Sequence, residues 1–212
     1  MNKKPIGLQI VEGMQLADRP SDYWATSPVR FDELEKLKSI MQRNDQTSYD
    51  HTMAVLDLLK NKNRVILLAA LFHDIGKGYI NPVDDPSLPR FPCHAIESVT
   101  VIDHLFPLWE IPREIHDQVS RIVETHMIDI SHMTAPKTVR KFIAKVGMEN
   151  IPYWFQLRIA DSQSYHKARD YHDNLIQPFY RLVMSYVDNI PGEEEVDKRG
   201  GDSAIQIEGG DS

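Results

Sequence analysis

Hydrophobic and polar positions repeat along this chain at helical spacing, and no stretch shows the strict alternation of a half-buried strand. Arg64 to Gly78 (RVILLAALFHDIGKG) stands apart. Eight of its first nine residues are apolar, the pattern of a helix buried on all sides. The run stops at His73-Asp74, with Gly76 and Gly78 just beyond, where glycine commonly terminates a helix. Before it, Phe31, Leu34, Leu37 and Ile40/Met41 predict an amphipathic helix over 31–42. Thr47 and Asp50 have capping-box spacing and open a helix to about Lys60, on which His51, Val55, Leu58 and Leu59 share one face. After it, His94 starts a helix whose Ile96, Val99, Ile102 and Phe106 are expected to face inward. Pro112 opens another over about 113–127, with Ile115, Val119, Ile122 and Val123 in a stripe that extends to His126. Pro136 to Val146 reads as an amphipathic helix stopped by Gly147, with Lys137, Arg140, Lys141 and Lys145 on its polar side. The helix predicted over 151–167 is again very apolar, yet Asp161 falls on the stripe of Trp154 and Leu157. A last helix is predicted over about 173–187.

These elements predict an all-α fold: one globular helical bundle over residues 31–190. Residues 1–30, with Pro5, Pro20, Pro28 and Trp24, read as an N-terminal arm, extended or partly helical, packed on that domain. Residues 79–92 carry four prolines and suit an irregular loop framing a site. Residues 191–212 hold seven acidic and two basic residues and almost no large apolar ones, so a disordered acidic tail is expected. That tail carries −5 of the net charge of −7, which leaves the body close to neutral. A neutral body argues against strong duplex DNA binding and mildly favours small substrates. One cysteine, Cys93, rules out an internal disulfide framework. No apolar run approaches the ~20 residues of a membrane span, and no secretory signal is recognisable. A cytoplasmic protein is expected.

The candidate chemistry lies in polar residues that point inward: His51, His73, Asp74, His94, His126 and Asp161. Each has a bland reading. A single inward histidine is usually a satisfied core residue, and Asp161 has a salt-bridge partner three residues away in Arg158. Six such explanations at once, in a chain with nine histidines, are less credible than one shared centre. Imidazole with carboxylate suits divalent Mn, Fe, Co, Ni, Zn or Mg, and the absence of thiolate ligands argues against a structural zinc. Neighbouring residues on a helix diverge, so His73 and Asp74 can share one metal only at a frayed helix end.

HTMAVLD, LAALFHDIGKG and RIAD together resemble the HD-domain metal-dependent phosphohydrolase superfamily, whose pattern is H…HD…D. Within it, HTMAVLD, HDIGKGYINP, FPCH, IPREI, VETH and RIAD are most similar to the C-terminal HD domain of bacterial CCA-adding tRNA nucleotidyltransferases, over about Asp45 to Lys167. The resemblance implies that His51, His73, Asp74 and Asp161 ligate a divalent metal. It places His94 and His126 where family members have second-metal, supporting or phosphate-contacting histidines, and Lys77 facing the phosphate. The nucleotidyltransferase head is missing, so tRNA end synthesis is not implied. The GYP signature of cyclic-di-GMP phosphodiesterases is absent as well, since Gly78-Tyr79-Ile80 follows Lys77.

The expected chemistry is hydrolysis of a nucleotide or RNA-terminal phosphate, including 2′,3′-cyclic phosphodiesterase or phosphatase activity. A bound divalent metal would activate water and polarise a phosphoryl oxygen, and Asp74 would orient or deprotonate that water. Lys77, His94 and His126 would neutralise charge on the phosphate, and either histidine could protonate the leaving group. Arg140 and Arg158 are weaker candidates for substrate contact, a surface or structural role being the more ordinary one. Two alternatives remain: a nucleoside mono- or triphosphate hydrolase, and a non-catalytic nucleotide-binding regulatory module. The intact ligand set argues against the second.

Overall fold

A computed structural model of the chain describes residues 4–42, 46–83, 90–164 and 172–187. The segment expected to be an acidic tail lies outside them, as does the tip of the proline-rich loop at 84–89. The described residues form helices joined by turns and loops: α1 (Ile6–Leu16), α2 (Pro20–Thr26), α3 (Asp32–Lys36), α4 (Ser48–Asp57), α5 (Arg64–Phe72), α6 (His94–Leu108), α7 (Arg113–Thr125), α8 (Pro136–Val146), α9 (Ile151–Gln163) and α10 (Gln177–Val187). Among them the only β pairings are two isolated bridges, Met41 with Thr47 and Val83 with Arg90.

α5 is the axis of the bundle. Val65 to Phe72 are all buried, so the helix is enclosed on every side as its unbroken apolar run requires. An aromatic cluster locks it to its neighbours. Phe72 lies against Phe31, Phe106 and Trp109 with centroids 5.1–5.8 Å away, and Trp24 meets Phe31 at 5.8 Å. Through Ile10, Met14 and Trp24, α1 and α2 enter the same core as α5, and both are regular helices. A second cluster joins α8, α9 and α10, where Phe142 packs edge-on against Trp154 and Phe179 at 4.8 and 5.0 Å.

Several local signals hold in detail. Thr47 Oγ1 accepts the Asp50 amide at 3.0 Å while Asp50 Oδ2 accepts the Thr47 amide at 3.2 Å, a reciprocal capping box that starts α4. The α7 stripe of Ile115, Val119, Ile122 and Val123 is buried, and Gly147, at φ +85°, stops α8. Other expectations need correction. The helix expected over 31–42 ends at Lys36, followed by a 3₁₀ turn at Leu37–Ser39, because the chain turns extended at Ile40 and bridges to Thr47. Leu58 is exposed at the end of α4, and Ile96 points outward, since the buried face of α6 runs through His94, Ala95, Ser98, Val101, Ile102, Leu105 and Phe106.

Candidate metal centre

α5 ends at Phe72, and its last turn opens immediately. Asp74 adopts φ −109°, ψ 3°, outside the helical region, and a 3₁₀ turn follows over Ile75–Tyr79. This break lets adjacent side chains point the same way: His73 Nε2 lies 3.3 Å from Asp74 Oδ2. Gly76 contributes by its lack of a side chain, not by a left-handed backbone. A Cβ there would sit 2.2 Å from the His94 carbonyl oxygen and 2.4 Å from the Ser98 amide. The missing side chain admits the first turn of α6, and Ser98 Oγ fastens it by accepting the Gly76 amide at 2.9 Å and donating to the His73 carbonyl at 3.0 Å.

That approach brings His94 to the site, and α7 delivers His126 at its C-terminal end. Three imidazoles are set in one manner. Nδ1 of His73, His94 and His126 donates to the carbonyl three residues earlier, of Ala70, Phe91 and Val123, at 2.8, 2.8 and 2.6 Å. His51 differs only in partner, its Nδ1 donating to Ser164 Oγ at 2.9 Å while that hydroxyl donates to the Asp161 carbonyl. With Nδ1 so engaged, Nε2 is the ring nitrogen that each histidine turns to the centre.

The four Nε2 atoms converge on one carboxylate. Asp74 Oδ2 lies 3.5 Å from His51 and 3.3 Å from His73, and Oδ1 lies 3.1 Å from His94 and 3.9 Å from His126. Two trios result, His51–His73–Asp74 and Asp74–His94–His126. Both are fully buried, and each brings its ligand atoms within 4.8 Å of one another. Asp161 joins the first trio, with Oδ1 3.2 Å from His51 Nε2. Such a donor set, imidazole nitrogens with carboxylate oxygens at close quarters, fits divalent cations.

Electrostatics follow from the crowding. Burial pushes the His126 imidazole down to about 3, helped by the neighbouring His73 and His94. Burial also opposes charge on His73, but the Asp74 carboxylate outweighs it and raises the group. For Asp74, burial is overcome by His73 and Lys77, which hold the carboxyl well below its usual range. Asp161 is lowered too, its burial outweighed by the hydrogen bond and charge of His51.

The centre forms the floor of a cleft of about 570 Å³. Lys77 lines it with Nζ 2.6 Å from Asp74 Oδ2, and Arg158 lines it from α9. Arg158 reaches both halves of the centre, donating from Nη1 to the His126 carbonyl at 3.2 Å and standing 3.8 Å from Asp161 Oδ2. The structure therefore gathers His51, His73, Asp74, Lys77, His94, His126, Arg158 and Asp161. Arg140 is not with them; it is exposed on α8 and absent from the cleft lining. Sequence reasoning missed Gln42, whose Nε2 donates to Asp74 Oδ2 at 3.3 Å, and the cleft residues Val83, Phe91 and Met127. Phe91 opens the FPCH motif and Met127 follows VETH, yet in both motifs it is the histidine that carries the signal.

Residues 48–165, more than half of the chain, match the family model of the HD domain. The chain belongs to the HD-domain family. HD domains are in general metal-dependent phosphohydrolases, and the buried His/Asp groups of this one fit such a centre. Gln42 stands outside the matched residues, so this HD domain receives part of its site from the preceding segment. Among curated proteins none matches the chain significantly. No helix among the described residues is long and apolar enough to cross a membrane.

Proposed function

We propose that this HD domain is a phosphohydrolase that cleaves phosphoester bonds of nucleotides or RNA ends, including 2′,3′-cyclic phosphodiester and terminal phosphomonoester bonds. One observation carries the reading: Asp74 presents each of its carboxylate oxygens to a different buried trio, at the floor of a cleft that the cationic side chains of Lys77, Arg90 and Arg158 also line. His51, His73, Asp74 and Asp161 would hold one divalent ion, and Asp74, His94 and His126 a second. The family and the donor types admit Mn, Mg, Ni, Co, Fe or Zn. Bound there, a divalent cation lowers the pKa of water and polarises a phosphoryl oxygen.

The remaining work belongs to side chains. Lys77 and Arg158 neutralise the charge that gathers on the phosphoryl oxygens as the ester bond breaks. Asp74 fixes the register between the two halves of the site. His94 and His126 have their Nδ1 protons committed to backbone carbonyls and their Nε2 atoms turned to Asp74. As ligands they have no proton to give the leaving oxygen, and that role passes to Lys77. The match to the HD-domain family names no substrate, and the resemblance of motifs such as FPCH and VETH to CCA-adding enzymes is what favours RNA ends. The cleft volume suits a single nucleotide and supports nucleoside mono- or triphosphates equally.

The test is a hydrolysis screen on purified protein supplied with each metal. Its substrates are bis-p-nitrophenyl phosphate, p-nitrophenyl phosphate, 2′,3′-cyclic AMP and the nucleoside mono- and triphosphates, with Asp74→Ala in parallel. Turnover of the cyclic substrate that vanishes in the variant supports RNA-end chemistry, and turnover of free nucleotides alone supports the nucleotidase. Silence with every metal, in protein that still binds metal, refutes hydrolysis and favours a binding module.

A further inference from the structure

The cleft is far larger than a phosphoryl group requires, and the apolar side chains of Val83, Phe91, Pro92 and Met127 line it beyond the centre, with Arg90 beside them. Val83 and Met127 are large hydrophobic residues left 44% and 55% exposed, and both face this cleft. Phe91 completes the wall. Each of the three is tied to a charged or ligating residue of the cleft. Val83 is pinned by paired backbone hydrogen bonds to Arg90, of 2.9 and 3.2 Å. Phe91 accepts the His94 Nδ1 proton through its carbonyl, and its ring centroid lies 5.6 Å from Lys77 Nζ. Met127 directly follows His126. The wall is thus set at fixed register to the residues that would meet the phosphate.

We infer that Val83, Phe91 and Met127 form a subsite for a planar apolar group attached to the phosphate, so that the cleft selects phosphoesters carrying an aromatic base over simple sugar phosphates. This deepens the phosphohydrolase reading and rests on it. A thioether and an aromatic ring both pack well on a flat π-face. The three side chains offer no hydrogen-bonding group, so a sugar ring placed against them would leave its hydroxyls unpaired. A heterocyclic base leaves its face, not its edge, to be covered there.

The experiment compares two pairs of compounds on the metal-loaded full chain. Dissociation constants are measured for the non-hydrolysable methylenephosphonate analogues of adenosine 5′-monophosphate and ribose 5-phosphate, and KM and kcat for the two parent esters. Val83→Ser and Met127→Ser are tested alongside. The inference predicts that the adenosine analogue binds about tenfold tighter or better. In both variants that advantage shrinks to about twofold, through KM with kcat little changed. Equal affinity for the two analogues, with ester hydrolysis intact, overturns the subsite and leaves the phosphohydrolase reading standing. Absence of both binding and turnover removes that reading and the subsite with it.

Discussion

His94 Nε2 stands 3.2 Å from His126 Nε2, although both rings direct their Nδ1 protons at backbone carbonyls. Two ring nitrogens carrying lone pairs do not rest at that distance without a proton or cation between them or beside them. Asp74 supplies negative charge on the same spot, so the arrangement favours a cation. The tautomers are open to measurement. Nitrogen-15 spectra of the imidazoles should show Nδ1-protonated rings at His73, His94 and His126, and titration with diamagnetic Zn should move their Nε2 resonances. A ring with its proton on Nε2 in the Zn-loaded protein would contradict this arrangement.

The pH dependence of the metal-free protein follows from the shifted groups. His126 titrates near 6.5 when unfolded and at about 3 when folded, so between those values the unfolded chain holds the extra proton. Stability therefore falls as pH drops below 6.5, with a limiting slope of about 1.4 kcal/mol per pH unit for a single such group. Asp74 and Asp161, both depressed, add stability that is complete above their unfolded value of 3.8 and is lost as pH falls from there through their lower folded values. His73, raised above 6.5, contributes in the opposite sense: its stabilisation is complete below 6.5 and fades as pH rises through its folded value. Melting temperatures in chelator should peak near neutral pH and fall on both sides, more steeply toward acid.

Gly76→Ala tests the packing that assembles the centre. The new methyl would meet the backbone of His94 and Ser98 inside 2.5 Å, with no flexible side-chain end to yield, so α6 must move away from α5. A loss of about 2 kcal/mol or more is expected, or about 5 °C in melting temperature, together with weaker metal binding. An unchanged melting temperature would show that Gly76 is a helix terminator only.

Lys77→Met and Arg158→Lys separate two roles. Lys77 faces the cleft beside Asp74, so its loss should lower kcat about 100-fold while metal is retained. Arg158 holds the His126 carbonyl and Asp161 together, and lysine cannot make both contacts. Its replacement should weaken metal affinity by about 10- to 100-fold, read by isothermal titration. The reverse pattern, metal lost in the lysine variant and kept in the arginine one, would exchange the two assignments.

Much of this centre was legible because each ligand carries a local signal. The capping box marks α4 and fixes the face of His51, the α7 stripe runs straight into His126, and the apolar run of α5 ends on His73-Asp74. What could not be read depends on contacts distant in sequence. Periodicity favours bulky residues and so turns Ile96 inward, whereas the turn of α6 that passes close to Gly76 does so through the backbone of His94 and Ser98. The spacing of Phe31 to Met41 continues a helix that the chain leaves in order to bridge Met41 to Thr47, and that turn is what carries Gln42 to Asp74. Arg140 and Arg158 look alike as basic residues on predicted helices. Only the packing of α9 against α4 and α5 turns one of them into the cleft.

The central claim is that Asp74 is shared between two ligand trios. Metal content per chain, determined by elemental analysis after loading with Mn or Zn and removal of excess ion, tests it most directly. The account predicts two ions in the native protein, one in His94→Ala and none retained in Asp74→Ala. A single ion in the native protein, unaffected by His94→Ala, would contradict the shared carboxylate and reduce the site to the His51–His73–Asp74 half.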